Sequence, residues 1–388
     1  MKERAVRAML ALIRGVVCGS AVTDGEKSEI TADLLPQLYT VSKAHDVAHV
    51  VAQGLSDLGL LGVDEISQKF QKQQMLAIYR YQRLNYELQR ICAALEAAEI
   101  AFIPLKGAVI RAFYPAPWLR TSCDIDVLIH ETDLERAIAY LNGHLQYKTE
   151  ERGSHDVSLF SESGVHVELH YHLIEELRFP TAVKLLARAW DYAEPEEGCV
   201  WRHRMREEMF YFYHVAHMAK HFENGGCGVR TLLDQWILWH LVPHDAQKRE
   251  ELVREGMLER FDLGARELAE VWFSGQTGTE LTDAMATYVI TGGIYGTTEQ
   301  GVAVKRSKKG GKLGYILSRL FLPYDLLKLH YPILQKHRWL TPIMQIRRWF
   351  RLLFGGRFKK SLREMRANES LSQERIDSVT ALRQELGL

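Results

Sequence analysis

Cysteine is scarce in this chain. The five present, Cys18, Cys92, Cys123, Cys199 and Cys227, are scattered, odd in number and form no CxxC pair. This excludes a disulfide framework or a zinc knuckle and fits a reducing cytoplasm. Net charge is absent as well. Lys and Arg total 49 and so do Asp and Glu, so the whole chain shows no electrostatic preference for one kind of partner. No window is apolar for the length of a membrane span. The apolar N-terminal stretch is broken by Arg7 and Arg14, too interrupted for a signal peptide, and Val17 before Cys18 does not fit a lipoprotein cleavage site. No internal repeat is visible. What is left, 47% apolar and 25% charged residues, is the composition of a soluble globular protein, and 388 residues suffice for two or three domains.

The pattern along the chain is helical first and mixed later. Residues 1–98 read as a helical segment, with a first helix whose apolar face is Met9, Leu10, Leu12 and Ile13, a second from about Ala32 to Leu61, and a third from Glu65 through Ala98. In the third, Leu76, Tyr79, Leu84, Leu88, Ile91 and Leu95 recur at threes and fours, which predicts one buried stripe. Residues 99–172 change character. Ile100–Leu105 reads as a strand, a short helix runs to Tyr114, and Pro115 and Pro117 mark a loop. Residues 122–130 read as a strand and 131–143 as a helix capped by Thr132. Strands follow at 145–150, 155–161 and 165–171, the last two joined by a hairpin at Gly164. The fold class is therefore α+β, a small mixed β-sheet flanked by a helical N-terminal segment and a helical C-terminal domain. Residues 173–300 read mainly as that helical domain. The glycines of 281–312 (Gly292, Gly293, Gly296, Gly301, Gly310 and Gly311) suggest a flexible loop or linker. Residues 301–388 form a basic, aromatic C-terminal region.

The chemistry concentrates in the mixed core. Asp124-Ile125-Asp126 lies inside an apolar run ending at Ile129. In a strand, residues two apart share a face, so both carboxylates project together while Ile125, Val127 and Ile129 enter a core. Two like charges so close call for a cation, and a divalent metal is the usual one. Glu168, between Val167 and Leu169 on a later strand, can join the same face as a third ligand or handle the proton of an acceptor hydroxyl. His170 alternates in phase with Glu168 and can orient it. Lys106-Gly107 sits at a strand-to-helix junction suited to phosphate, and Arg120, four residues before Asp124, can fork onto a triphosphate or pair with Asp124. Paired carboxylates, a third acid and phosphate-holding cations are the parts that nucleotidyl transfer needs. The plain alternative is an exposed edge strand with solvated acids.

Leu105-Lys-Gly, Tyr114-Pro, Arg120, Asp124-Ile-Asp and Val167-Glu-Leu-His together resemble the uncharacterised nucleotidyltransferase family within the DNA polymerase β-like superfamily. The resemblance covers roughly residues 80–240 and implies a nucleotidyltransferase core with a helical C-terminal portion. It adds Lys220-His221 as substrate or phosphate contacts and a following Asp, here Asp234, which can pair with Arg230 or a histidine. It implies Mg²⁺ (or Mn²⁺) as cofactor and an NTP as substrate, with NMP passing to an unidentified hydroxyl acceptor on protein, RNA, sugar or a small molecule. One departure from the wider superfamily is Ala108, where most members have Ser or Gly after the turn glycine.

Two further features stay open. His214, His217 and His221 share a helix face, but no H-E-x-x-H pattern accompanies them, so His214 and His217 read as packing residues. Between Lys305 and Arg366 the only acids are Asp325 and Glu364, with Trp339, Trp349, Phe350, Phe354 and Phe358 interleaved among the bases. This segment is a solvated helical face, an anionic-membrane surface or a nucleic-acid surface. The alternative function is a non-catalytic nucleotide- or metal-binding module whose basic tail docks to membrane or RNA. The expected location is cytoplasmic, membrane-peripheral if the tail binds lipid.

Overall fold

The computed structural model describes residues 2–175, 179–294, 296–308, 314–315, 317, 320–354, 364 and 368–388. Gly310, Gly311, Phe358 and Arg366 lie outside the described residues. The chain forms two compact units, Met1–Lys220 with Gly228–Asp283, and His221–Cys227 with Ala284–Leu388.

The first unit begins with helices α1 (Lys2–Val17), α2 (Asp24–Glu29), α3 (Leu35–Ala44), α4 (Ala48–Asp57) and α5 (Glu65–Ala97). The α5 start is fixed by Asp64, whose carboxylate accepts the amides of Ile66 and Ser67. No Gly or Pro interrupts its length. Its buried stripe is Phe70, Ala77, Leu84, Leu88, Ile91 and Leu95. Leu76 and Tyr79, expected in that stripe, are 40% and 60% exposed instead. The early half of α5 turns its core face through Phe70 and Ala77, so Leu76 and Tyr79 fall on the open side.

The mixed core follows: β1 (Phe102–Pro104), α6 (Gly107–Ile110), β2 (Asp124–Ile129), α7 (Leu134–Leu145), β3 (Lys148–Arg152), β4 (Asp156–Phe160) and β5 (His166–His170). The sheet order is β1-β2-β5-β4-β3. Strand β2 runs antiparallel to β1 and parallel to β5, and β4 runs antiparallel to both β5 and β3. The protein is α+β with a small mixed sheet, and β2 is an interior strand rather than an exposed edge. One sheet face packs against α5 and α7 through Ile125, Val127, Ile129, Val157, Leu159, Val167 and Leu169. Alternation then forces Asp124, Asp126 and Glu168 to the opposite face.

Three local expectations change. Thr132 does not cap α7. Glu131–Asp133 form a 3-10 turn, and the helix begins at Leu134 without a side-chain cap. Strand β3 starts later than residue 145 because α7 continues to Leu145 and the chain turns through Gln146 in the left-handed region. Tyr147 then dips into the core and donates to Glu87 at 2.8 Å. The region after Leu173, expected to be mainly helical, holds α8 (Pro180–Leu186), α9 (Glu207–Glu223), α10 (Val229–His240), α11 (Ala246–Glu255) and α12 (Glu259–Phe273), but also a hairpin, β6 (Ala193–Pro195) with β7 (His203–Met205). The Glu96 carboxylate accepts the amides of Val200, Trp201 and Arg202, and Phe102 bridges to Arg202, so this hairpin covers the β1 edge.

The glycine-rich stretch is mostly helical where it is described, with α13 (Glu280–Gly292) and α14 (Thr298–Lys308) and, between them, Gly293 and Gly296 at φ +62° and +75°. Its glycines meet two needs, a positive φ at Gly293 and Gly296 and close packing at Gly292 and Gly296. A Cβ at Gly225 would lie 2.7 Å from the Gly301 nitrogen, one at Gly292 2.8 Å from the Gly225 oxygen, and one at Gly296 2.6 Å from the same oxygen.

Candidate active site

Strands β2 and β5 pair in parallel with Asp126 opposite Glu168 and Asp124 opposite His166. Adjacent interior strands thus deliver three carboxylates to one patch of the sheet. Asp126 is buried, and its Oδ1 accepts from the Lys106 ammonium at 2.7 Å and from His170 Nε2 at 2.8 Å. The same His170 nitrogen lies 3.2 Å from Glu168 Oε2, so one imidazole ties two of the acids together.

The electrostatics are lopsided. Burial and the Asp126 charge push the Asp124 carboxyl above its ordinary range, Lys106 opposing and Glu168 adding to the push. Burial alone would also raise Asp126, but Lys106 and His170 hold it well below. The hydrogen bond from His170 lowers Glu168 against its burial. Burial and Lys106 work against the His170 imidazolium, yet Asp126 and Glu168 raise it. Lys106 itself stays charged because Asp126, Tyr213 and Asp124 outweigh the cost of burial. Three carboxylates therefore share one ammonium and one imidazole, and Asp124 has no ion pair among the described residues.

The turn between β1 and α6 brings Lys106 in. Its amide-to-carbonyl link, Leu105 to Asp126 at 3.0 Å, fastens the turn to β2. Lys106 has φ +43°, a region that costs a non-glycine residue about 1–3 kcal/mol. Gly107, by contrast, is helical, and its need for no side chain is steric. A Cβ there would sit 2.8 Å from Arg120 Nη1 and 3.1 Å from Ser122. Helix α6 is a single turn, so its dipole adds little to anion binding. The cation at this turn that the sequence did not single out is Arg111. It is buried, donating to the Gly107 carbonyl at 2.5 Å and to Ser122 Oγ at 2.7 Å. It has no carboxylate in ion-pair range among the described residues. Burial and the neighbouring Arg120 bring its pKa down to about 10. Its signal in the sequence is only its place four residues after Gly107.

Arg120 is committed elsewhere. Its Nη2 and Nε reach Asp234 of α10 at 2.9 and 3.3 Å, and Tyr114 donates to the same carboxylate at 2.8 Å. The expected pairings of Arg120 with Asp124, and of Asp234 with Arg230 or a histidine, are therefore replaced. Arg230 bonds Asp46 at 2.6 Å and the Thr121 carbonyl at 3.1 Å. From the other side His49 reaches the Leu119 carbonyl at 2.9 Å. The loop entering β2 is thus pinned by α10 on one flank and by the α3–α4 region on the other. Lys220 pairs with Glu175 at 3.2 Å. His221 belongs to the second unit, where its carbonyl accepts the Asn224 and Gly226 amides. Tyr213 of α9 lies near Lys106 and the acids with a hydroxyl that has no hydrogen bond of ordinary geometry among the described residues.

The donor set fits a hard divalent cation. Ligand atoms of Asp126, Glu168 and His170 lie within 4.8 Å of one another, as do those of Asp124, His166 and Glu168. On the α5 side of the sheet, away from the acids, a cleft of about 360 Å³ opens between α5 and the β4–β5 turn, lined by Leu76, Tyr79, Arg80, Arg83 and Cys123.

A family model described as "Uncharacterised nucleotidyltransferase" matches residues 34–274. The chain belongs to this family. The match takes in the whole sheet, the pinned loop and α10, and stops before the basic C-terminal segment. Comparison with curated proteins and with solved structures gave no significant match. Nucleotidyl transfer is therefore the class of chemistry to which the site is to be fitted.

Proposed function

We propose that this protein transfers an NMP from an NTP to a hydroxyl acceptor, with loss of pyrophosphate, by polymerase β-like chemistry. The observation that carries the reading is the meeting of Asp124, Asp126 and Glu168 on one sheet face with less positive charge than they need. These three would hold Mg²⁺ or Mn²⁺, which when bound supplies Lewis-acid activation and neutralises charge on the reacting phosphates. Arg111, the buried cation without a carboxylate, is placed to hold phosphate oxygens beside the Lys106-Gly107 turn. Lys106 keeps Asp126 ionised and can exchange part of its interaction for a phosphate. Glu168, oriented by His170, stands to take the acceptor hydroxyl's proton as that oxygen attacks the α-phosphate in line. Arg120 acts at one remove, anchoring the strand entry through Asp234. Ala108 offers no hydroxyl to the phosphates, which leaves that task to the cations.

Pyrophosphate release tests this. Purified protein with each NTP, Mg²⁺ or Mn²⁺ and a cell extract should release pyrophosphate. Asp126→Asn should lower the rate by about 10³-fold or more with the fold retained. Nucleotide binding with no pyrophosphate from any NTP would favour a binding module instead.

A further inference from the structure

The second unit carries a surface that nucleotidyl transfer does not use. The helix Thr341–Phe354 buries Met344 against Leu327, Tyr331 and Leu334, while Gln345 donates to the Leu322 carbonyl at 2.6 Å. Trp349 on the same side donates to the Leu320 carbonyl at 2.7 Å and meets Phe321 edge-on. With that side committed to packing, the opposite side presents Trp339, Ile343, Ile346 and Phe350, which are 72%, 51%, 47% and 58% exposed. Their spacings of four, three and four place them in one line along the helix, Trp339 leading in from the preceding 3-10 turn. Arg347 and Arg351, both exposed, flank the line. No acidic residue occurs between Asp325 and Glu364. A soluble surface rarely keeps four large apolar side chains in register without a use for them.

We propose that this helix lies in the interface of an anionic lipid bilayer, its apolar line entering the acyl boundary and its arginines meeting the headgroup phosphates. Charge complementarity sets the sign of the partner. The two isoleucines decide between the partners that a basic face suits. Single-stranded nucleic acid gains from stacking on aromatic rings and from cations, but nothing from exposed aliphatic side chains. A bilayer gains from all four, with tryptophan at the headgroup level. No helix among the described residues is long and apolar enough to cross a membrane, so the attachment is peripheral.

The test uses the full chain with vesicles of phosphatidylcholine alone or mixed with phosphatidylglycerol. The protein should co-sediment with the mixed vesicles and much less with the neutral ones. Ile346→Glu with Phe350→Glu should weaken this by about tenfold or more. Arg347→Glu with Arg351→Glu should weaken it by about fivefold per arginine, and less at high salt. Melting temperatures are measured beside the binding, and Ile343→Glu with Ile346→Glu, which leaves Phe350 and Arg347 in place, should weaken binding likewise. The proposal is overturned if the protein ignores both vesicles. It is also overturned if an RNA oligonucleotide binds instead, with only the arginine variant losing it, or if the apolar line proves to hold two copies of the chain together in solution.

Discussion

Asp234 and the Asp124–Asp126–Glu168 cluster are carboxylates wholly or partly taken out of water, and they are balanced in opposite ways. Asp234 receives a forked guanidinium and a phenol, and Arg120 more than repays its burial, so its pKa falls below the ordinary range. The cluster receives one ammonium and one shared imidazole for three acids, and burial together with Asp126 drives Asp124 upward. A balanced buried charge is satisfied within the fold, whereas an unbalanced one is the kind of charge that a bound cation would settle, as proposed above for the cluster. The two arginines nearby divide in the same way, Arg120 being spent on Asp234 and Arg111 left without an acid.

The largest effect should come from unbalancing the balanced side. Asp234→Ala leaves Arg120 buried without its partner and should cost about 3–5 kcal/mol in denaturant unfolding. A loss below about 1 kcal/mol would mean that Arg120 finds water or another acid, and the contrast would collapse.

Acid should act next. Burial lowers His214, which lies behind the Arg120–Asp234 pair, to about 4, and lowers His49 to about 4 as well. Both are neutral when folded and take up protons more readily when unfolded. Their contribution is complete above about pH 6.5 and declines as pH falls towards 4, by about 2 kcal/mol each at pH 5. His214→Gln should flatten the stability profile between pH 7 and pH 5. An unchanged slope would show that His214 does not titrate with unfolding.

The smallest effect probes the arginine left over. Arg111→Gln should raise the KM for NTP about tenfold, by loss of one charge-assisted phosphate contact, while changing stability little. A lower melting temperature with unchanged KM would make Arg111 structural and remove it from the phosphate site.

Much of this was legible in the sequence because the informative signals were local. The alternation in Asp124–Ile129 and in Val167–His170 places acids and core residues on opposite faces whatever the wider fold, and Gly164 marks the hairpin of β4 and β5. What escaped depends on distant partners. Arg120 and Asp234 are 114 positions apart, and either could have satisfied several neighbours. Glu96 holds three amides of a hairpin a hundred residues on, which no periodicity announces. The glycines near 292–301 read as one linker because sequence alone does not show that Gly292 and Gly301 sit in helices while Gly293 and Gly296 lie between them. Arg111 was hidden for a related reason, since an arginine within an apolar helical run looks the same whether or not a carboxylate meets it.

The most direct test of the central contrast is the response to Mn²⁺ of parent and Asp124→Asn, followed by thermal unfolding in the absence of nucleotide. Without metal, Asp124→Asn should be at least as stable as the parent, because it relieves the repulsion with Asp126 and Glu168. With Mn²⁺ in large excess over its dissociation constant the parent should gain stability, by about 2.7 kcal/mol at a hundredfold excess, and the variant should gain little. Equal gains in both proteins, or a variant less stable than the parent without metal, would contradict the account.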